Sequence, residues 1–373
     1  MKKDSVKKFM QDLLKTAGIT VNGQEPWDVQ IHNEDVYTRV LATKELGLGE
    51  SYMDGWWDCE RLDIFFDKIF SAKLDEKIKN NIGTLLKLIL LKIINPQTGK
   101  RVYQVGKKHY DLGNELFQDM LDSRMIYSCA YWKDANTLDD AQLAKLHLIC
   151  EKLHLKPGMK LLDIGCGWGS LAKYAAENYG VEVVGITISK EQHDFAKKNC
   201  AELPVEIRLQ DYRDVKETFD RVVSVGMFEH VGSLNYHAYM QVVHRCLIDK
   251  GLFLLHSIGA NESQVATNPW IAKYIFPNGA LPSIAQIGTA SEKLFVMEDW
   301  HNFGADYDKT LMAWHANFNA NWDKIKADHD ERFFRMWNFY LLSSAASFRS
   351  RTIQLWQIVF SKNGIRNGYI APR

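Results

Sequence analysis

Five consecutive residues, Gly165-Cys166-Gly167-Trp168-Gly169, carry the sharpest chemical signal in the chain. They follow the apolar run Lys160–Ile164 and precede the amphipathic stretch Leu171–Asn178, which makes them the turn between a buried strand and a helix. Glycines at such a turn let the backbone approach a ligand closely, and the helix start offers N–H groups with no intrahelical partner. Asp163 stands just ahead of the turn. A purely structural strand-to-helix turn has the same outline, and so does a dinucleotide site. Spacing separates them, because the dinucleotide fingerprint Gly-x-Gly-x-x-Gly is absent. An acidic residue ending the second strand, the usual partner of ribose hydroxyls, is also absent; Gly185-Ile186-Thr187-Ile188-Ser189 stands there. Thr187 and, one helical turn on, Gln192 are left as the polar candidates at that strand end.

These groups need a frame. From Leu161 onward, short apolar runs alternate with amphipathic stretches, the pattern of an α/β fold whose parallel sheet is covered by helices on both faces. The runs are Lys160–Ile164, Val181–Thr187, Val205–Gln210, Phe219–Val225 and Gly251–Ser257, with helices over Leu171–Asn178, Glu191–Asn199 and Leu234–Leu247. Leu294–Met297 and Ile353–Phe360 are expected to close the sheet antiparallel. Upstream, Val6, Phe9, Met10, Leu13, Leu14 and Ala17 recur at helical spacing before Gly18, and Leu62–Phe70 and Ile82–Ile94 read as two more helices. Asn95-Pro96-Gln97-Thr98-Gly99-Lys100-Arg101 is turn chemistry, since proline disfavours helical geometry in the residue before it. The expected organisation is therefore a smaller, mainly helical N-terminal domain over 1–95, a linker over 96–108 and the α/β domain over 109–373.

Composition narrows the function. A chain of 373 residues, 46% of them hydrophobic, is long enough for two cores. Basic and acidic residues balance at 46 each, so no global field gathers nucleic acid. The cysteines at 59, 129, 150, 166, 200 and 246 are too widely spaced for a Cys-x-x-Cys pair or a disulfide framework, which fits a reducing cytoplasm. The first residues lead into an amphipathic pattern rather than an apolar secretory core. The longest apolar run, Ile82–Ile94, is too short to span a bilayer and is interrupted by Lys87 and Lys92. A soluble or peripheral protein is expected.

Gly-x-Gly-x-Gly after Leu161-Leu162-Asp163-Ile164 resembles the loop of S-adenosylmethionine methyltransferases. In that setting Gln210-Asp211-Tyr212, at the third strand end, suits the adenine edge. Three further segments, Tyr127-Ser128-Cys129-Ala130-Tyr131-Trp132, Val225-Gly226-Met227-Phe228-Glu229-His230-Val231 and Met297-Glu298-Asp299-Trp300-His301-Asn302-Phe303-Gly304, are similar to the bacterial cyclopropane-fatty-acyl-phospholipid synthase family. The resemblance continues through Gly47–Trp57 and His109–Asn114, and so covers nearly the whole chain.

The resemblance implies a Rossmann-like class I methyltransferase sheet with helical insertions. It also implies transfer of a methylene unit from S-adenosylmethionine to the cis double bond of an unsaturated acyl chain in membrane phospholipid. The donor set is then Tyr127, Ser128, Asp163, Gly165, Gly167, Gly169, Thr187, Gln192, Gln210, Asp211 and Tyr212. An alkene is a weak nucleophile, so its attack on a sulfonium methyl leaves cationic character on the acyl chain. Aromatic faces stabilise such charge, and Tyr127, Tyr131, Trp132, Phe303 and Tyr307 are the candidates. A proton must then leave the new carbon. By resemblance the base is bound bicarbonate, held by Cys129, Glu229, His256, Ile258 through its backbone, and Tyr307. His256 and Tyr307 suit donation of hydrogen bonds, Glu229 suits orienting the histidine or taking the bicarbonate proton, and Cys129 is a weak donor rather than a nucleophile. A cluster of Cys, Glu and His is also a zinc donor set, but the expected reaction requires no metal.

Because the double bond lies inside a bilayer, residues 1–95 are expected to contact the surface. Lys2, Lys3, Lys7, Lys8, Lys87, Lys92, Lys100, Arg101, Lys107 and Lys108 are candidates for anionic headgroups, though mixed charge on solvated helix faces has the same composition. The family implies a homodimer working at the inner face of the cell membrane. Asn268–Pro282 is a candidate lid, and His109, Tyr110, Asp111 and Asn114 are candidate helix-capping or entrance residues. Ordinary methylation of an alkene or amine, and lipid binding without catalysis, are the competing functions.

Overall fold

A computed structural model describes residues 3–74, 113–264 and 267–373. The expected helix Ile82–Ile94, the turn and linker after it, His109, Tyr110 and Asp111, and all the candidate headgroup lysines except Lys3, Lys7 and Lys8 lie outside the described residues, as does Arg101.

The N-terminal part comprises α1 (Lys3–Lys15), β1 (Gln30–Ile31), α2 (Asp35–Thr43), α3 (Glu45–Met53), β2 (Trp57–Asp58) and α4 (Leu62–Ser71). Next come α5 (Asn114–Met120), α6 (Leu138–Lys152), β3 (Lys160–Ile164), α7 (Ser170–Tyr179), β4 (Glu182–Thr187), α8 (Lys190–Asn199), β5 (Val205–Leu209), β6 (Phe219–Val225) and α9 (Tyr236–Cys246). The last elements are β7 (Leu247–Ala260), α10 (Pro269–Tyr274), α11 (Ile284–Ser291), β8 (Val296–Asn302), α12 (Ala305–Ala320), α13 (Trp322–Ile325), α14 (Glu331–Arg349) and β9 (Ile353–Ser361).

The large sheet has seven strands in the order β5-β4-β3-β6-β7-β9-β8. β5, β4, β3, β6 and β7 are parallel, and β9 runs antiparallel to both β7 and β8. Alternation along the strands builds both faces. Leu162, Ile164, Val222, Phe253 and Leu255 enter one apolar cluster, while Leu161, Val223, Leu252 and Leu254 enter another. The parallel strands are those that the pattern of apolar runs predicts, and the whole is the Rossmann-like sheet that the resemblance implies. Two expectations need correction. The strand placed at Leu294–Met297 spans Val296–Asn302, and it lies parallel to β7 because only β9 reverses. Leu294 and Phe295 instead pack into the sheet's core before the strand begins. Among the described residues β8 is an edge strand, and its polar Glu298, Asp299 and Asn302 are tolerated there because one side pairs with none of the described strands.

Helices α3 and α4 pack against α14. One apolar cluster joins Val36, Trp57, Phe65 and Phe66 to Trp314, Trp337 and Phe339, with Phe66 set edge-on to Phe339 at 5.1 Å. Asn268 caps α10 by accepting from Trp270 N–H at 2.9 Å. Trp270 is buried against α3, where Gly49 leaves it room; a Cβ at Gly49 would meet the indole at 2.4 Å. The candidate lid is thus anchored at its tryptophan.

Candidate active site

The cavity lies at the carboxyl ends of β3, β4, β5 and β6, where parallel α/β sheets bind ligands. Its walls include Tyr127, Ser128, Asp163, Gly165, Gly167, Thr187, Gln192, Gln210, Asp211 and Tyr212, so ten of the eleven expected donor residues converge although they come from three strand ends and a preceding loop. The eleventh, Gly169, does not line it. Gly169 caps α7 with φ +86°, and a Cβ there would meet Cys200 Sγ at 3.0 Å, so its role is close helix packing. Gly165 does serve the cavity wall: φ is +84° and a Cβ would lie 2.8 Å from Met227 Cβ. At Gly167, with φ +54°, an added Cβ meets nothing within 4 Å.

Local hydrogen bonds hold the polar lining. Thr187 Oγ1 donates to Gln192 Oε1 at 2.9 Å, and Ser189 caps α8 by accepting from Gln192 N–H at 3.3 Å. Asp211 accepts from the Arg213 guanidinium at 2.9 and 2.6 Å, which fixes its carboxylate at the β5 end. Asn114 does not cap α5. Its Oδ1 accepts from Trp168 Nε1 at 2.9 Å and so ties that helix to the glycine loop. The cavity fits an adenosyl amino acid: a glycine cradle lies on one side, polar strand ends lie along it, and Asp163 Oδ2 is buried without a partner among the described residues. Burial raises Asp163 to about 7, an effect that nearby Lys145 opposes.

Aromatic rings continue from this cavity into the helical part. Trp168 meets Phe117 at 5.1 Å, Phe117 meets Tyr127 at 5.2 Å, and Tyr127 meets Trp314 at 5.1 Å. Tyr307 then meets Trp314 at 5.9 Å and stacks on Phe348 at 4.5 Å. From another side, Phe303 contacts Tyr131 at 5.3 Å and His256 at 5.9 Å.

The expected catalytic residues stand off the donor cavity wall. Glu229 Oε1 accepts from Ile258 N–H at 2.7 Å, joining two of them directly. The other oxygen, Oε2, is buried with no hydrogen-bond partner among the described residues. Burial raises Glu229 to about 7, while the Ile258 N–H and the Ser257 side chain favour its charged form. His256 Nδ1 faces Gln357 Nε2 at 3.3 Å, and its Nε2 is buried without a partner among the described residues. Burial, then Lys145 and Lys152, hold this histidine well below its ordinary range, so it is neutral near pH 7. Cys129 is fully buried, and burial followed by Asp306 drives its thiol up, which removes it as a thiolate nucleophile. Its neighbour Ala130 donates from N–H to Thr310 Oγ1 at 3.1 Å, on the helix that carries Tyr307. Among the described residues no three His, Cys, Asp or Glu side chains converge as a metal-binding group.

Comparison with known proteins decides the family. Residues 97–358 match the family described as Mycolic acid cyclopropane synthetase. The chain is 56% identical over 370 residues to the cyclopropane-fatty-acyl-phospholipid synthase of Escherichia coli strain K12, covering 99% of this chain and 97% of that one. The chain belongs to the mycolic acid cyclopropane synthetase family. As such it is an S-adenosylmethionine-dependent methyltransferase with a class I sheet. Other relatives are similar over about two thirds of the chain. Cyclopropane mycolic acid synthase 2 of Mycobacterium bovis is 36% identical, with coverage of 69% of this chain and 93% of that one. The crystal structure of a mycolic acid cyclopropane synthase complexed with SAH and CTAB is 35% identical, with TM-score 0.66 and coverage of 70% of this chain and 98% of that one.

Three residues of this family member escape a motif reading. Lys145 lines the cavity from α6 and is buried. His230 lines it too, with Nδ1 unpartnered among the described residues and its pKa lowered to about 4 by burial. Asn278 reaches it from the segment after α10. His230 stands beside Glu229 within a quoted motif, whereas nothing local marks Lys145 or Asn278.

Proposed function

We propose that this enzyme transfers a methylene carbon from S-adenosylmethionine to the cis double bond of an unsaturated phospholipid acyl chain and closes a cyclopropane ring, with a bound bicarbonate as proton acceptor. The supporting observation is a donor cavity, a run of aromatic rings leading from it, and, off the cavity wall and linked to β7, two buried groups without a partner among the described residues, Glu229 Oε2 and His256 Nε2.

The bound donor supplies an electrophilic methyl on a sulfonium. Gly165 and Gly167 would give it close backbone approach, Thr187 and Gln192 would meet its ribose, and Gln210, Asp211 and Tyr212 its adenine. Tyr127, common to the cavity wall and the aromatic run, Trp314 and Tyr307 shelter positive charge on the acyl chain through their ring faces. His256 is neutral; with Gln357 Nε2 drawn toward Nδ1, its proton sits on Nε2 and is available to hold an anion. Glu229, fixed through Oε1 by the Ile258 N–H, keeps Oε2 free to take a proton. Cys129 and Tyr307 complete the bicarbonate enclosure, Cys129 as a buried thiol.

The enzyme acts as a homodimer on the cytoplasmic face of the membrane, with residues 1–95 as adaptor. Exposed Phe9 on α1 supports surface contact, whereas Lys7 is already paired with Glu34 at 2.5 Å. No helix of the described residues is long and apolar enough to cross a membrane. The test is incubation with S-adenosylmethionine and vesicles of a monounsaturated phospholipid, followed by mass spectrometry and proton NMR of the released acyl chains. A gain of one CH2 with cyclopropane proton signals is expected, and bicarbonate depletion slows the reaction reversibly. A methyl branch with a retained double bond, or no added carbon, overturns the reading.

A further inference from the structure

Lys145 is a buried ammonium without a counter-ion. It is 1% exposed, it lines the donor cavity, and its Nζ donates to Ser128 Oγ at 2.7 Å. No carboxylate lies within ion-pair distance of it among the described residues, and Asp122 and Asp163 act on it only at longer range. An ammonium has three donors, so two remain unused. Burying such a charge without an anion is costly, and burial pulls Lys145 down to about 8. The charge is retained at a cavity wall, so the missing anion belongs to a ligand.

Strand order says which part of the ligand. On the donor assignment above, adenine meets the β5 end and ribose the β4 end. Continuing across the sheet through β3 toward β6 leads to Asp163, Ser128 and Gly226, the end where the donor's amino-acid portion must lie. Asp163, with Oδ2 unpartnered, sets a negative group near the positive Lys145, and a zwitterion matches that arrangement better than a simple anion does.

We propose that Lys145, together with Ser128, binds the α-carboxylate of S-adenosylmethionine. The inference rests on the donor assignment. Its test is calorimetric titration of the full chain in bicarbonate-free buffer with two probes: S-adenosylhomocysteine, which carries the amino-acid portion, and 5′-methylthioadenosine, which lacks it. Lys145→Met should weaken the first by about 30-fold, the scale of a lost charge contact, and leave the second within about twofold. Ser128→Ala should weaken the first by roughly 3- to 10-fold, as for one lost hydrogen bond. The ligand-free Lys145→Met protein should melt no lower than wild type, because an unpaired buried charge has been replaced by an apolar chain of similar length. Unchanged S-adenosylhomocysteine affinity in Lys145→Met, or equal weakening of both probes, overturns the inference. Failure of the wild-type protein to bind S-adenosylhomocysteine at all would instead bring down the donor assignment on which it stands.

Discussion

Replacing Glu229 with glutamine probes the group proposed to take the proton from bound bicarbonate, and it leaves the fold nearly untouched. The amide keeps an oxygen for the Ile258 N–H, which now donates at 2.7 Å, but it cannot take a proton. Glu229 is not on the donor cavity wall, so S-adenosylhomocysteine affinity should stay within about threefold while kcat falls by roughly 100- to 10,000-fold, the span of general acid–base catalysis. A second magnitude comes from linkage. Burial raises this carboxyl from 4.5 to about 7, which corresponds to about 3 kcal/mol against the ionised form. Because the folded state holds the proton more tightly than the unfolded chain, the wild-type protein loses this stability progressively as pH rises from 4.5 to 7. Above pH 7 the loss is complete. Glutamine does not titrate, so the variant lacks that share of the pH dependence. Urea denaturation of both proteins at pH 5 and pH 8 measures most of it, and the wild-type protein should lose about 2.5 kcal/mol more than the variant over that interval. Turnover within threefold of wild type would refute the catalytic assignment, and parallel pH dependences of stability would refute the buried, proton-retaining state of the carboxyl.

Turnover should rise with pH through about 7 as Glu229 ionises, and His256 should add no acid limb near neutrality because it is already neutral there; a pH–rate profile of kcat checks this, and the limb should vanish in the residual activity of Glu229→Gln. Gly165→Ala forces a side chain into φ +84° and to 2.8 Å from Met227, so it should weaken S-adenosylhomocysteine by about 10-fold or more, read by calorimetry, for a backbone strain of about 1–3 kcal/mol. Phe9→Asp, at a position 46% exposed on α1, should lower flotation with anionic vesicles while leaving turnover on detergent-dispersed lipid unchanged. Deletion of residues 1–95 should instead cause loss of soluble protein, since it strips the cover from Trp337 and Phe339; expression and gel filtration test that.

Much of the fold is legible because it is local. The inner parallel strands announce themselves as apolar runs, since a strand covered on both faces carries little polar alternation, whereas the outer β5 alternates as Val205-Glu206-Ile207-Arg208-Leu209 and is legible by that period. The glycine loop is legible for a related reason: a tight turn at positive φ with backbone facing a ligand admits few residue types, so spacing alone carries information. β8 is not legible in that way, because an edge strand tolerates Glu298, Asp299 and Asn302, and its apolar neighbours Leu294 and Phe295 belong to the core outside it.

The site divides along the same line. Thr187, Gln210 and Asp163 sit at strand ends, and strand ends can be read from sequence. Glu229 and His256 carry meaning within motifs, but neither their burial nor the orphaned Oε2 and Nε2 atoms can be read there. Lys145 is the clearest contrast. On α6 it reads as one charged residue among several, and Lys152 on the same helix is equally buried beside Asp299 at 3.3 Å. A lysine's charge belongs to the residue, whereas its lack of solvent and its partner belong to whatever packs around it. Sequence therefore settled the parallel strands, the loop and the kinds of chemistry on offer, because those depend on backbone conformation and on neighbours a few residues away. Tertiary structure alone decided which ionisable groups lose water, because desolvation is set by segments more than a hundred residues apart folding over the same atom.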